Sequence, residues 1–207
     1  MHSSPRAPLD VQDEATGAPR HSPPLSQRLA ATPTTRDHPS MSRTNLPSPA
    51  SGPALPPGMA YLLQRAVSGV LRGAQNGDLP LFAWTLGLPQ EELLQVLAQL
   101  FPEVQPVEPL RDVQYQQLLA LKPQDFASML HILEENRNPA LPAQPVRWLA
   151  HAMTAACYGE HELWRDMGLG DMGDLAQLMQ ACFPPLYERQ RIGQNWKQLL
   201  LTELHDA

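Results

Sequence analysis

Apolar residues recur at helical spacing from about residue 59 to the end of the chain. In the first such segment Leu62, Ala66 and Val70 repeat every four residues, and the turn residues of 75–78 end the helix. A second helix is expected after Pro89, which suits a first helical turn. Further helices are predicted over about 110–121, 123–136, 145–158, 174–182 and 195–204. Because alternating runs of β-branched residues are missing, the pattern predicts an all-α domain.

Two segments about 80 residues apart share one pattern. The shared positions are a Trp, a Gly-Leu pair and a Phe-Pro pair: Trp84, Gly87-Leu88 and Phe101-Pro102 in one copy, and Trp164, Gly168-Leu169 and Phe183-Pro184 in the other. Each copy predicts a short helix closed by glycine, then an amphipathic helix that ends at Phe-Pro. We therefore expect a compact helical bundle with an internal pseudo-repeat, in which Trp84 and Trp164 occupy equivalent buried positions.

Residues 1–58 differ from the rest of the chain in composition. They hold 12 of the 23 prolines and no Phe, Trp or Tyr, and they are rich in Ser and Ala. Such a segment cannot bury enough apolar surface to offset its ordering entropy, so we predict a disordered Pro-rich tail. Residues 59–207 form the single predicted domain. Met41 and Met59 are alternative positions at which translation could begin.

Charge and cysteine content narrow the class of protein. With 15 Lys+Arg against 21 Asp+Glu, the net charge of −6 argues against a general nucleic-acid binder. Two cysteines cannot build a disulfide scaffold. No apolar run approaches the roughly 18–20 residues that span a bilayer, and prolines interrupt residues 1–30, where a signal peptide would lie. We expect a cytoplasmic protein that binds neither nucleic acid nor membrane.

The most suggestive chemical cluster is formed by His151, Cys157 and His161, to which Cys182 could be added from the next helix. Thiolate and imidazole groups are suitable ligands for Zn or Fe. Against this, Gly159 interrupts the helix that would place Cys157 and His161 on one face, and cysteine is commonly a small buried apolar residue. No phosphate-binding loop, GxSxG or HExxH motif is present, and the sequence does not suggest an enzyme.

The carboxyl-terminal half resembles the NifQ family of nitrogen-fixation proteins. The resemblance lies in four strings: Arg147-Trp148-Leu149-Ala150, Ala155-Ala156-Cys157, the run His161-Glu162-Leu163-Trp164-Arg165-Asp166-Met167-Gly168-Leu169, and Asn195-Trp196-Lys197. The continuation from Asp174-Leu175 to Phe183-Pro184-Pro185-Leu186 fits as well, and so does the upstream segment from Leu86-Gly87-Leu88 to Phe101-Pro102. The match covers nearly all of residues 59–207.

The resemblance implies a role in making the iron–molybdenum cofactor of nitrogenase. Family members carry molybdenum, associated with an iron–sulfur cluster, to the nitrogenase cofactor assembly proteins, and their ligands are attributed to a cysteine-rich carboxyl end. In this chain His205 stands where the family places its first cysteine, and the full cysteine cluster is absent. The remaining soft or borderline ligands are Cys157, His161, His151, Cys182 and His205.

Three hypotheses follow from the sequence. The chain is a molybdenum carrier, or a metal-free helical module related to NifQ that binds nitrogenase assembly proteins, or an unrelated helical enzyme. The resemblance favours the first, and the missing cysteine cluster favours the second. No sequence feature favours the third.

Overall fold

The computed structural model of the chain describes residues 55–104, 108–190 and 195–206, and every regular element within them is helical. The α-helices are α1 (Pro57–Asn76), α2 (Gln90–Leu100), α3 (Asp112–Ala120), α4 (Phe126–Glu135), α5 (Ala143–Ala156), α6 (Leu163–Asp166), α7 (Met172–Cys182), α8 (Pro184–Arg189) and α9 (Trp196–Asp206), and Leu81–Thr85 forms a 3-10 helix. The all-α prediction is confirmed. The disordered tail was predicted over residues 1–58, of which residues 1–54 lie outside the described residues. Its boundary is wrong at residues 55–58, because Pro57 and Gly58 begin α1 and Leu55 packs against the core.

The helix boundaries follow local chain chemistry. Helix α1 has Pro57 in its first turn and ends at Gly77, which adopts the left-handed conformation with φ of 84°. Helix α4 begins three residues later than predicted, because residues 123–125 form a turn in which the Phe126 amide donates to the Pro123 carbonyl at 3.2 Å. The sequence analysis missed α8, which starts at Pro184 directly after α7 ends.

Helix α5 is the centre of the domain. Ten of its residues are buried, including Trp148, which is 1% exposed. Helix α1 packs against α5 and the 3-10 helix, and α4 packs against α5 and α9. The α1 backbone comes very close to the chain after α6, since a Cβ added at Gly168 would lie 2.7 Å from the Gly69 Cα. Within the described ranges, no helix combines the length and apolar character needed to cross a membrane.

The internal repeat is present in the backbone. We call residues 81–101 the first repeat and residues 163–183 the second repeat. Gly87 and Gly168 have φ values of 67° and 65°, and the helices α2 and α7 that follow are both 11 residues long. Phe101 and Phe183, which end these helices, have φ and ψ of −131° and 60° and of −134° and 57°. The Gly-Leu and Phe-Pro signals therefore produce the same local conformations in both copies, although the short helix before them is 3-10 in the first repeat and α in the second.

The prediction that Trp84 and Trp164 are equivalent core residues is wrong. Trp84 is 38% exposed and Trp164 is only partly buried. The Trp164 indole N–H donates to the Glu162 carboxylate at 2.6 Å, and the Arg165 guanidinium lies 5.0 Å from the indole centroid. The buried tryptophans are Trp148 and Trp196 instead. In each repeat a neighbouring apolar side chain, Phe82 or Leu163, is fully buried in the core, whereas Trp84 is exposed and Trp164 packs only against the edge of the core.

Candidate functional site

A buried ion pair joins two distant parts of the chain. The Asp166 carboxylate is 2% exposed, and its Oδ2 lies 2.5 Å from the Lys197 Nζ. Lys197 also donates to the Gly159 carbonyl at 2.9 Å. The His161 backbone N–H donates to Asp166 Oδ2 at 3.2 Å, and the His161 ring Nδ1 lies 3.1 Å from Asp166 Oδ1. We call Asp166, Lys197, His161 and Gly159 the charged node.

Local structure holds each member of the charged node in place. Asp166 is the last residue of α6, and Lys197 is the second residue of α9. Gly159 lies in the turn after α5, where a Cβ would sit 2.4 Å from Asp166 Oδ2 and 2.5 Å from a Leu79 methyl carbon. A larger residue at this position would push the turn away from the carboxylate. The node therefore depends on glycine at 159.

The electrostatics of the charged node are those of a satisfied buried pair. Burying a carboxylate is costly unless a cation and hydrogen bonds compensate it, and Asp166 has both. Because carboxylate oxygens only accept hydrogen bonds, the His161 Nδ1 carries a proton. A neutral His161 ring then presents Nε2 as its acceptor. His161 is exposed, so this nitrogen is available at the surface.

The predicted ligand Cys157 follows the last residue of α5, and the chain turns there instead of continuing as a helix through Gly159. Cys157 and His161 therefore do not share a helical face. Burial raises the pKa of the Cys157 thiol to about 12, with the Lys197 charge opposing this and the Asp166 charge adding to it. The thiolate is the form that binds metal, so at neutral pH a metal would have to displace the thiol proton.

Two further predicted ligands lie in the core. The Cys182 thiol is 1% exposed and lies 3.9 Å from the Met59 sulfur, and burial raises its pKa to about 12. The His151 Nδ1 lies 2.9 Å from the Leu86 carbonyl oxygen, to which it donates. Burial lowers the pKa of His151 to about 4, so its ring is neutral at pH 7. The His151 Nε2 is buried without a hydrogen-bond partner.

The fifth predicted ligand, His205, lies in the last turn of α9, where its Nδ1 donates to the Leu201 carbonyl at 2.6 Å. Among residues 55–104, 108–190 and 195–206, no three His, Cys, Asp or Glu side chains are grouped so that they could hold a metal ion. The five residues thus do not form one site within this part of the chain. Their assignment as ligands stays a prediction.

Sequence reasoning passed over Asp166 and Lys197. A usable signal was present, since both residues belong to the strings that carry the family resemblance. His161 and Asp166 are five residues apart, whereas Lys197 follows Asp166 by 31 positions and can only be paired with it in the folded chain. The structure shows that the two resembling strings meet at a single carboxylate.

The chain was also compared with known proteins. The family model named NifQ matches residues 65–206. The chain is 27% identical to Protein NifQ of Azotobacter vinelandii over 139 residues, which cover 63% of this chain and 70% of that protein. No solved structure matches the chain.

Proposed function

The chain belongs to the NifQ family of nitrogen-fixation proteins, and we propose that it carries molybdenum during assembly of the iron–molybdenum cofactor of nitrogenase. The observation that carries the proposal is the match of the family model to residues 65–206, which include the whole charged node. In this proposal molybdenum, with or without an iron–sulfur cluster, is cargo. The protein acts in the cytoplasm as a carrier and not as an enzyme, and its partners are the cofactor assembly proteins.

The donor groups in this chain suggest that the cargo is held jointly with another molecule. Cys157 and Cys182 are the only two cysteines of the sequence, and their pKa values are both raised by burial. Cluster sites generally use four good ligands. A partner protein or a small molecule would supply the remaining ones, so transfer would take place within a complex.

A second candidate function is a metal-free module that binds the same assembly proteins. Two observations favour it. The described part of the chain holds no group of three metal-binding side chains. An apolar groove of about 590 Å³ opens between α1 and α2, and Trp84, Leu97 and Phe101 contribute to its walls. Exposed aromatic side chains of this kind are enriched at protein interfaces.

The experiment that tests the carrier proposal measures molybdenum in nitrogenase itself. Nitrogenase is purified from nitrogen-fixing cells that carry the gene and from cells in which it is deleted, both grown at the same limiting molybdate concentration. We expect less molybdenum per nitrogenase molecule in the deletion strain. Equal molybdenum contents in the two preparations would contradict the proposal.

A variant lacking both thiols separates the two candidates. The deletion strain is complemented with Cys157→Ala/Cys182→Ala or with the unchanged protein, and circular dichroism is used to confirm that the purified variant is folded. A carrier that uses these thiols predicts that the variant fails to restore the molybdenum content. A metal-free module predicts full restoration by the double variant and loss of restoration by Trp84→Ala.

A further inference from the structure

We propose that a cleft beside the charged node binds a tetrahedral oxyanion through Arg65, Arg72 and Arg165. The cleft has a volume of about 650 Å³ and lies between α1 and the segment that contains α6. His161 and Asp166 of the charged node form part of its wall. The proposal rests on the chemistry of the three arginines and on what they lack.

Arg65 lines the cleft and is anchored by its own hydrogen bond. Its Nε–H donates to the Gly168 carbonyl at 2.9 Å. Its two terminal nitrogens lie beside Gly170, where a Cβ would be 3.5 and 3.7 Å from them and 2.8 Å from the Asp174 Oδ2, so the Asp174 carboxylate is a neighbour of this guanidinium. One hydrogen bond to the backbone thus orients the fork of Arg65. Its terminal N–H groups are the ones that pair with oxyanions in bidentate geometry.

Arg72 and Arg165 approach the cleft from its two sides. Arg72 lies two turns after Arg65 on α1, where its Nε makes a hydrogen bond of 3.4 Å to the Ser68 carbonyl of the same helix. Arg165 belongs to α6 and stacks on the Trp164 ring. Neither interaction occupies the terminal guanidinium nitrogens with a negative charge. Both side chains are exposed and can adjust to a ligand.

Among the described residues, none of the three arginines has a Glu or Asp oxygen within 4.0 Å, whereas Arg147, Arg189 and Lys197 do. In this part of the chain Arg111 and Arg137 are unpaired as well, but they do not line the cleft, so the three arginines are distinguished by sharing one concave surface.

The carboxylates that line the cleft are Asp166, which Lys197 already neutralises, and Asp78. Three guanidinium groups against two carboxylates, Asp78 in the wall and Asp174 beside Arg65, still leave the cleft with a net positive charge, although the whole chain carries −6. A concave site of one charge sign concentrates the field and attracts ions of the opposite sign.

The chemistry of the cleft selects the class of ligand. Planar guanidinium donors match the oxygen geometry of phosphate-like anions better than that of halides, and a doubly charged anion gains from all three. Molybdate, sulfate and phosphate share this tetrahedral chemistry. The identification of molybdate as the natural anion rests on the proposed function, whereas the existence of the site does not.

Isothermal titration calorimetry of the full chain tests the site. Sodium molybdate, sulfate and phosphate are titrated separately, with chloride keeping the ionic strength near about 0.15 M so that general screening is constant. We expect at least one of the three to bind with a saturable heat. In Arg72→Gln/Arg165→Gln its affinity should fall about a hundredfold, since a charge-assisted contact is worth roughly a factor of ten.

The matched control removes the same charge elsewhere. Arg111 and Arg137 do not line the cleft, so Arg111→Gln/Arg137→Gln should bind the anion within about twofold of the unchanged protein. The proposal is wrong if none of the three anions binds, or if the two double variants bind equally. Binding of sulfate or phosphate without molybdate would support the site and count against the molybdenum role. The nitrogenase measurement tests the proposed molybdenum role, and the anion titration tests the cleft. If the first experiment fails, the titration result is unaffected, so failure of the proposed function can be distinguished from failure of the site.

Discussion

The first and second repeats share the conformations of their glycine and phenylalanine positions and have very different surroundings. Helix α7 of the second repeat buries Leu175, Leu178, Met179 and Cys182, whereas α2 of the first repeat buries only Leu93 and Val96. Phe183 is 0% exposed, and Phe101 remains only partly buried. A repeated turn and cap chemistry therefore specifies where the chain bends. It does not specify how much of each copy becomes core.

The two repeats also differ in the polar contacts that connect them to the rest of the domain. The second repeat is held by a charged pair, Asp166 with Lys197. The first is held by neutral groups, with His151 donating to the carbonyl of Leu86, a residue that adopts the left-handed conformation with φ of 51°. This strained leucine is tolerated because its side chain is fully buried and its carbonyl is satisfied. The folded first repeat therefore requires the His151 ring to be neutral, and the stability of the domain should fall when low pH favours the protonated ring.

Truncating Phe101 and Phe183, the last residues of the two repeats, is the strongest test of the difference in burial. Phe183→Ala should lower the free energy of unfolding by about 3–5 kcal/mol, because it leaves a cavity in the core. Phe101→Ala, at the equivalent backbone position, should cost less than about 2 kcal/mol. Urea denaturation of both variants gives the comparison directly. Equal losses would show that the two repeats contribute alike to the core.

The second test of the comparison measures the loss of stability when one member of the buried Asp166–Lys197 pair is removed. Lys197→Met leaves Asp166 buried without its cation, and the expected loss is about 3–5 kcal/mol. Replacing both residues, as Lys197→Met/Asp166→Leu, should cost less than Lys197→Met alone, since no charge is then left uncompensated. Chemical denaturation measures both variants. A double variant that is less stable than the single one would contradict the description of the node as a compensated pair.

The hydrogen bond from the neutral His151 ring to the first repeat predicts that the free energy of unfolding depends on pH. Burial lowers the pKa of His151 to about 4, whereas the unfolded chain has the ordinary value of 6.5. The unfolded state then binds a proton that the folded state rejects, so the stabilisation is complete above about pH 6.5 and is lost as the pH falls toward 4. At pH 4 the loss is on the order of 3 kcal/mol.

A glutamine variant isolates that contribution. His151→Gln should flatten the fall in stability between pH 6.5 and 4, whereas His131→Gln should alter it much less, because His131 and its ion-pair partner Glu135 are both exposed on α4 and exposed pairs contribute little. Thermal unfolding followed across this pH range measures both. An unaltered slope in His151→Gln would exclude His151 as the group responsible.

The difference between two left-handed glycines gives the smallest and most local comparison. A Cβ at Gly168 would meet the Gly69 Cα at 2.7 Å, while Gly77, with φ of 84°, has open space around it. Gly77→Ala should therefore cost only the conformational penalty of about 1–2 kcal/mol. Gly168→Ala should cost about 1–3 kcal/mol more, because α1 must shift. Equal melting temperatures for the two variants would show that the α1 contact is not tight.

Part of the structure could be predicted from local sequence. Gly77 ends α1 as expected because glycine adopts positive φ at little cost, and Gly87 and Gly168 do the same in the two repeats. The second helix of each repeat ends at Phe-Pro because proline excludes the helical conformation in the residue before it. The incomplete burial of Trp84 and Trp164 could not be predicted in this way, since burial depends on how the helices pack against one another.

The candidate site shows the same division. The sequence drew attention to Cys157 and His161 by their spacing, but the turn at Gly159 removes the shared helical face on which that prediction depended. The charged residues Asp166 and Lys197 were visible in the sequence as parts of the resembling strings, but their pairing was not. The same holds for Arg65 and Arg165, which are 100 positions apart and line one cleft.

By itself, the sequence determined the helical class, most helix boundaries, the repeated chain path and membership of the NifQ family. These properties depend on short-range periodicity, on the conformational limits of glycine and proline, and on strings of residues that can be compared directly. Only the tertiary structure decided which repeat is buried, which carboxylate is paired and which arginines face a common cleft. Such features arise from contacts between residues far apart in the chain, and their energies depend on burial that no local pattern contains.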